Sequence, residues 1–253
     1  MLLWGLNGKQ PMTKYAFIGD VHSQASPLGA ALSYCQDNGL TPILLGDLFD
    51  SRCELSDSAD VFNLVKYAQR KFPGMVALRS NHQKKLERYI KGNPVNIGPD
   101  LEKTLSDFEK AGIHLTSEVL PWLLSFPFGF VFRDSKGTEY RCAHACFPSR
   151  IEIQPYRKCR SIWNVTRKEQ DLMLYGPRYK TEGGANERSA WWLKPSDRDW
   201  VRVAGHYHVV HESPKSLVLD GDMGGSSSKT LAIDEMALCL YDVEARELKR
   251  FRH

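Results

Sequence analysis

The sequence predicts an α/β fold, a sandwich of two sheets with helices on its outer faces. Its first half alternates short apolar runs with amphipathic helical segments, a pattern typical of parallel strands joined by right-handed crossovers. From Ile113 onward the chain consists mainly of apolar runs of strand length. A chain of 253 residues can form one domain with a large core. We assign residues 12–253 to this domain and residues 1–11 to an N-terminal extension.

The first helix has recognisable start and stop signals. Ser26 is expected as its N-cap and Pro27 as its first helical residue, and Asn38-Gly39 is expected to end it. Parallel strands are predicted over 15–18, 42–45 and 75–78. Further helices are predicted over 58–70, 84–91 and 101–110. Later strands are predicted over 126–132, 140–145, 201–205, 217–219 and 236–241.

The composition is that of an ordinary globular protein, with 42% hydrophobic and 25% charged residues. No run approaches the roughly 20 apolar residues of a membrane-spanning helix, so no membrane association is expected. No feature of the sequence indicates an obligate protein partner, and the expected partner is the phosphorylated substrate. The net charge of +4 is too small to indicate a dedicated nucleic-acid binder, although it does not exclude one. Six cysteines without a Cys-x-x-Cys pair favour reduced thiols in a cytoplasmic protein, although Cys142 and Cys146 beside His144 could also suggest a zinc cluster.

Potential metal ligands follow the three early strands and two later apolar runs. The segments are Gly19-Asp20-Val21-His22, Gly46-Asp47-Leu48-Phe49-Asp50, Arg79-Ser80-Asn81-His82, His144 and Gly205-His206-Tyr207-His208. Open α/β folds bind ligands at the carboxyl ends of their strands, so these side chains are expected along one edge. Each segment alone is a weak signal, but the ordered set predicts a two-metal hydrolase.

The ligand types also indicate which metals the site would bind. Alternation along a strand places Asp20 and His22 on one side, where both can hold the same ion. The two oxygens of Asp47 can bridge to a second ion, and Asn81 offers a neutral oxygen. The histidines at 144, 206 and 208 offer nitrogens. Mixed carboxylate, amide and imidazole ligation suits Mn, Fe or Zn better than Mg or Ca, and we expect two ions, with Mn²⁺ preferred.

This ordered set resembles the calcineurin-like metallophosphoesterase superfamily. Leu78-Arg79-Ser80-Asn81-His82 is most similar to the phosphoprotein-phosphatase branch. Residues 84–92, Val95 and residues 101–104 resemble the phosphatase module of bacterial polynucleotide kinase-phosphatases, and so does Leu219-Asp220-Gly221-Asp222-Met223-Gly224-Gly225. The resemblance implies an αββα sandwich of two mixed sheets flanked by helices. It also implies one metal held by Asp20, His22, Asp47 and His208, and another held by Asp47, Asn81, His144 and His206.

The same resemblance implies phosphoester hydrolysis by in-line attack of a metal-bridging hydroxide. His82 would protonate the leaving alkoxide, and Asp50 would hold the imidazolium of His82 in place. Arg79 and Arg52 are candidates to bind the non-bridging phosphate oxygens. Arg52 stands one position away from the arginine of the phosphoprotein-phosphatase pattern, so a surface charge is an equal alternative for it.

The substrate is less determined by the sequence. We favour phosphomonoesters of the phosphoprotein, nucleotide or polynucleotide-end type. The alternatives are 2′,3′-cyclic or other nucleotide diesters, dinucleoside polyphosphates, a nucleic-acid binder with an incidental metal site, and a non-catalytic metal-binding scaffold. The connection over residues 150–200 could grip phosphates and stack bases, or its aromatic residues could simply pack beneath solvated arginines. Its candidate contacts are Arg150, Tyr156, Arg157, Arg160, Trp163, Tyr175 and Arg178.

Overall fold

The computed structural model describes residues 13–51, 57–151, 159–180, 186–194, 198–221 and 237–252. Within these ranges two mixed sheets pack face to face, with helices on their outer faces. The predicted α/β sandwich class is therefore confirmed. The proposed extension 1–11, Arg52, Tyr156, Arg157 and Asp222 to Gly225 lie outside the described residues.

The first sheet has five strands in the order β13-β12-β1-β2-β3. Their bounds are β1 Tyr15–Ile18, β2 Thr41–Leu44, β3 Val76–Ala77, β12 Leu238–Asp242 and β13 Glu247–Phe251. β1, β2 and β3 run parallel to one another, whereas β12 pairs antiparallel with both β1 and β13. The carboxyl ends of the three parallel strands therefore meet at one edge of the sheet.

The second sheet has six strands in the order β10-β11-β9-β5-β4-β6. Their bounds are β4 Gly129–Arg133, β5 Glu139–Ala143, β6 Cys159–Ile162, β9 Trp200–Ala204, β10 Val210–Ser213 and β11 Ser216–Leu219. β5, β9 and β11 are mutually parallel, so this sheet also has an edge at which several strands end together. A separate ribbon pairs β7 Arg178–Lys180 with β8 Asn186–Arg188.

The alternation of side chains along β1 divides the interior into two cores. Tyr15 and Phe17 face the second sheet, where they join the aromatic residues of β4 and β5. Ala16 and Ile18 point the other way, toward the helices that cover the first sheet. Both faces of the strand are buried, which explains why it reads as a continuous apolar run in the sequence.

Six α-helices flank the sandwich in the described chain. Their bounds are α1 Ala25–Asp37, α2 Ser58–Lys71, α3 Asn81–Ile90, α4 Pro99–Lys110, α5 Leu120–Leu124 and α6 Arg167–Tyr175. The first five pack on the outer face of the first sheet, and α6 buries Met173 and Leu174 against the second. None of the described helices has the length and apolar character needed to cross a membrane.

Several predicted boundaries are wrong. α1 begins at Ala25 with Gln24 as N-cap, so Ser26 and Pro27 lie inside its first turn. α3 begins at Asn81, three residues before the predicted start, because the Ser80 hydroxyl accepts a hydrogen bond from the Gln83 amide and caps it.

The second half of the chain also contains more helix than predicted. Residues 115–124, expected to begin the β-rich half, form a π-helical turn followed by α5. α6 was not predicted, although its capping box, in which Thr166 and Glu169 bond reciprocally, is visible in the sequence. β4 begins at Gly129 rather than at residue 126, because the chain is still turning out of α5 there.

Candidate metal centre

The predicted ligands come together where the strands of both sheets end. Asp20 and His22 follow β1, Asp47 follows β2, and Asn81 opens α3 after β3. From the second sheet, His144 follows β5 directly, and His206 follows β9. In two triads, Asp20-His22-Asp47 and Asp47-His144-His206, potential ligand atoms lie within 4.8 Å of one another. Asp47 belongs to both triads.

The backbone is left-handed at several of the predicted site residues. Seven described non-glycine residues have positive φ, and five of them are predicted site residues: His22, Asp47, Asp50, His206 and His208. Non-glycine side chains rarely adopt this conformation, and such strain concentrates at functional sites. His22 also lies beyond the end of β1, so a left-handed turn, rather than alternation along the strand, places it near Asp20.

Two histidines have defined tautomers because Nδ1 of each ring lies within hydrogen-bond distance of a backbone carbonyl oxygen. His22 Nδ1 lies 2.8 Å from the Asp50 carbonyl oxygen, and His144 Nδ1 lies 3.0 Å from that of Leu45. A carbonyl can only accept, so Nδ1 carries the proton in both rings and Nε2 of the neutral ring has a lone pair. Ligating histidines usually have this arrangement. Both Nε2 atoms face Asp47 Oδ2, at 3.7 Å from His22 and 3.4 Å from His144.

Two potential ligand atoms lie around His144 Nε2. Asn81 Oδ1 lies 2.7 Å away, and His206 Nδ1 lies 3.1 Å away. Burial, then the nearby His144, lower the pKa of His206 to about 2, so His206 is neutral at pH 7. An amide oxygen and two imidazole nitrogens converging at these distances are suited to a divalent cation.

The carboxylates also fit cations. Burial, followed by the charges of Asp220 and Asp47, raises the pKa of Asp20 well above its ordinary value. Burial alone would also raise the pKa of Asp47. The electrostatic influence of His144, His82 and His22 is larger and holds the pKa of Asp47 well below its ordinary value. Within the described part of the chain, Asp20 Oδ1 is buried without a hydrogen-bond partner. Crowded carboxylates and orphaned buried ligand atoms are both stabilised by positive charge.

Beside the triads, the side chains of His82 and Asp50 contact each other. His82 Nδ1 lies 2.9 Å from Asp50 Oδ2, and the Thr104 hydroxyl donates to Asp50 Oδ1 at 3.1 Å. Burial by itself would lower the pKa of His82, but Asp47 and then Asp50 outweigh it and raise the pKa to about 9. The ring can therefore be protonated at neutral pH. Its Nε2 lies 4.0 Å from Asp47 Oδ2 and is directed toward the candidate metal centre.

Comparison with known proteins identifies the fold. No protein-family model and no curated protein matches the chain. A crystal structure of a proposed diadenosine tetraphosphatase matches with a TM-score of 0.58 and 18% identity, covering 94% of this chain and 92% of that one. This is the fold of the calcineurin-like metallophosphoesterases. A serine/threonine phosphatase from Saccharomyces cerevisiae with similarity to human phosphatase PP5 has a TM-score of 0.48 and 11% identity, covering 98% and 82%.

In this calcineurin-like fold, His208 does not lie in either triad. Its backbone amide donates to Asp220 Oδ2 at 2.7 Å, and its Nδ1 lies 3.7 Å from the same oxygen. The structure thus places the predicted ligand against a carboxylate that the sequence analysis did not select. Asp220 follows β11 directly, is buried and lies close to Asp20. Its sequence signal was present, because Asp220-Gly221 follows an apolar run in the same way as the other ligand segments do.

Thr104 is a second residue that the sequence analysis missed. It lies on the buried face of α4, between Leu101 and Phe108, and its hydroxyl both donates to the Asp50 carboxylate and accepts from the Asp50 amide at 3.2 Å. A polar residue at helical spacing within an apolar face was the available signal.

Arg79, a predicted phosphate-binding residue, contacts the backbone near α5 in the described chain. Its Nε donates to the Phe126 carbonyl and its Nη2 to the Leu124 carbonyl, both at 2.8 Å. Its Nη1 lies 3.9 Å from Glu87, and the guanidinium stacks on the Phe128 ring at 4.8 Å. These contacts direct the charge toward the turn after α5 and give Arg79 a structural role.

Substitution of Arg79 by Ala tests this role. We expect the free energy of unfolding to fall by about 1.5–3 kcal/mol, because charged hydrogen bonds to two backbone carbonyls are lost. We expect kcat/KM of the folded protein to change little. Denaturant unfolding beside steady-state kinetics measures both. Arg133→Ala is the control, since Arg133 makes an exposed ion pair with Glu139 and should cost at most about 1 kcal/mol. A large loss of kcat/KM at unchanged stability would restore the phosphate role of Arg79.

The cysteines near His144 do not form a zinc site with it in the described chain. Cys142 is buried in the core between the sheets, and Cys146 lies in a different cluster with Trp191 and Tyr207. Burial raises the pKa of Cys142 well above its ordinary value and that of Cys146 to about 12. Both are therefore neutral thiols with a packing role.

Proposed function

We infer that this protein is a two-metal-dependent phosphoesterase that hydrolyses phosphomonoesters of the phosphoprotein, nucleotide or polynucleotide-end type. The observation that carries the proposal is the sharing of Asp47 by two ligand triads, with a protonatable histidine alongside. Mixed carboxylate and imidazole ligation favours two Mn²⁺ ions, with Fe or Zn as alternatives.

The proposed ligand sets are assigned by position. Asp20, His22 and Asp47 would hold one ion, and His208 would be its fourth protein ligand. Asp47, Asn81, His144 and His206 would hold the other. When bound, two cations activate water, orient the phosphoryl group and neutralise its developing charge. His22 and His144 are oriented for this task in advance by their bonds to backbone carbonyls.

The side chains of His82 and Asp50 would complete the reaction. His82 Nε2 would donate its proton to the departing oxygen while Nδ1 remains bonded to Asp50. The Thr104 hydroxyl accepts from the backbone amide of Asp50 and donates to the Asp50 carboxylate, so the pair is positioned before substrate arrives. A cation that shares Asp47 would weaken the influence of Asp47 on the ring, which leaves Asp50 as the main support of the imidazolium.

The test compares p-nitrophenyl phosphate with bis-p-nitrophenyl phosphate, assayed after chelation and again with Mn²⁺ restored. We expect turnover of the monoester that chelation abolishes and Mn²⁺ restores. Preference for the diester would replace the proposal by a phosphodiesterase. Bound metal without turnover of either compound, or of AMP and a phosphoserine peptide, would favour a non-catalytic scaffold.

A second candidate is hydrolysis of dinucleoside polyphosphates. It is supported by the fold shared with the proposed diadenosine tetraphosphatase over nearly the full length of both chains. Diadenosine tetraphosphate offered beside AMP distinguishes the two candidates. Faster turnover of the dinucleotide at equal concentration would favour the second.

A further inference from the structure

A cavity of about 260 Å³ opens beside the candidate centre and extends beyond the residues that the proposed chemistry uses. It is lined by Asn81 and His82, and also by Lys85, Arg88 and Tyr175. The cavity therefore begins at the residues assigned to metal ligation and leaving-group protonation. A group placed in it would be attached to the leaving-group side of the substrate.

The geometry of α3 aligns these cationic residues. Positions 81, 85 and 88 are spaced i, i+4 and i+7, so Asn81, Lys85 and Arg88 share one face of the helix. The rise of an α-helix places position 85 about 6 Å and position 88 about 10 Å beyond position 81 along the axis. The positive charges thus extend outward from the centre in one line along the cavity.

Other cations of α3 are engaged elsewhere. Lys84 Nζ lies 3.0 Å and Lys91 Nζ 2.6 Å from Glu87, which directs both lysines to a different face of the helix. By contrast, Lys85 makes only a long contact of 3.9 Å with Asp50 among the ion pairs of the described chain. Arg88 donates from Nη2 to the Pro94 carbonyl at 2.6 Å, and a guanidinium has five N–H donors in all.

Tyr175 lines this cavity and connects it to a second cavity with cationic residues. It also lines a neighbouring cavity of about 470 Å³ with Lys168 and Arg178, where Asp171 is the acidic residue. The Arg178 guanidinium lies 5.5 Å from the centre of the Tyr175 ring. The cationic side chains on both sides of the ring outnumber the acidic one and favour a polyanionic ligand.

We propose that the cavity along α3 is a subsite for a second phosphate group on the leaving group, bound by Lys85 and Arg88. This proposal rests on the phosphoesterase activity proposed above and specifies its substrates as compounds with at least two phosphates. Lys85 supplies a point charge near the centre, and Arg88 supplies a planar donor group farther out, a pairing suited to phosphate oxygens.

The test compares AMP with adenosine 3′,5′-bisphosphate, which differ by one phosphate, and uses p-nitrophenyl phosphate as a substrate without a second one. For the unmodified protein we expect the bisphosphate to have the higher kcat/KM. In Lys85→Ala/Arg88→Ala we expect that value to fall roughly 10- to 100-fold, mainly through KM. The matched control is Lys84→Ala/Lys91→Ala, which removes the same charge from another face of α3 and should retain the preference.

Equilibrium binding separates failure of the subsite from failure of the activity. With metal removed by chelation, calorimetry should show tighter binding of adenosine 3′,5′-bisphosphate than of AMP, and the double variant should lose the difference. That result supports the subsite even if no ester is hydrolysed. Monoester turnover combined with equal binding and equal kcat/KM for the two nucleotides overturns the subsite and leaves the phosphatase intact. An equal loss with all three substrates would also overturn it, because the residues would then be acting on the shared chemistry.

Discussion

Asp47→Asn is expected to lower kcat/KM for p-nitrophenyl phosphate by about 10²–10⁴-fold. The substitution keeps the size of the side chain but removes the negative charge shared by both ligand triads. Metal ions contribute several kcal/mol of charge stabilisation to such reactions, and each ~1.4 kcal/mol corresponds to a factor of ten. Steady-state kinetics in Mn²⁺ measures the loss, and metal analysis after dialysis should show fewer bound ions per chain.

Asp37→Asn provides the matched control for this experiment. Asp37 ends α1 on the protein surface, so the same change of charge should leave both turnover and metal content unaltered. Full activity of Asp47→Asn with two bound ions would remove the shared carboxylate from the proposed centre. Loss of activity with unchanged metal content would instead indicate that Asp47 acts on the substrate or on His82.

His82→Ala is expected to lower kcat by roughly 10²–10⁴-fold on substrates that release an alkoxide, such as AMP or a phosphoserine peptide. The loss should be much smaller with p-nitrophenyl phosphate, because p-nitrophenolate leaves readily without a proton. Comparing kcat for the two substrate types measures this difference. It separates proton donation from general damage to the site, which would affect all substrates alike.

Two further variants strengthen this test. His114→Ala removes an exposed histidine from the start of the π-helical turn and should be neutral. Asp50→Asn keeps the side chain near His82 but weakens the support of the imidazolium. We therefore expect a smaller loss of kcat than in His82→Ala, with the same dependence on the leaving group. Equal losses with alkoxide and p-nitrophenolate substrates in His82→Ala would exclude His82 as the proton donor.

The local sequence was sufficient to predict the strands and most of the helices of the first half. Strands such as β1 are buried on both faces, so their apolar runs are continuous and easily recognised. The helix boundaries were less accurate, because a cap depends on which side chain reaches which amide. Ser80, not a residue near Lys84, caps α3, and this brings Asn81 and His82 into its first turn.

The part of the chain after residue 113 was harder to interpret. Apolar runs of four to eight residues fit a strand or a buried helix equally well, so residues 115–124 were included in the β-rich half and their helical structure was not predicted. The strand β13 was also missed, since its side chains are mostly half-buried or exposed and its pairing with β12 supplies the register.

The sequence by itself determined the fold class and the order of the candidate ligand segments, because each group of polar ligand residues directly follows an apolar strand along the chain. Only the tertiary structure decided which of those residues meet. It joined Asp47 to ligands from both sheets, placed Asp220 beside Asp20 and His208, and directed Arg79 away to backbone carbonyls. These outcomes depend on left-handed turns and on contacts between residues distant in sequence, such as Thr104 and Asp50. Such contacts form only when the sheets and helices pack together, so no local pattern encodes them.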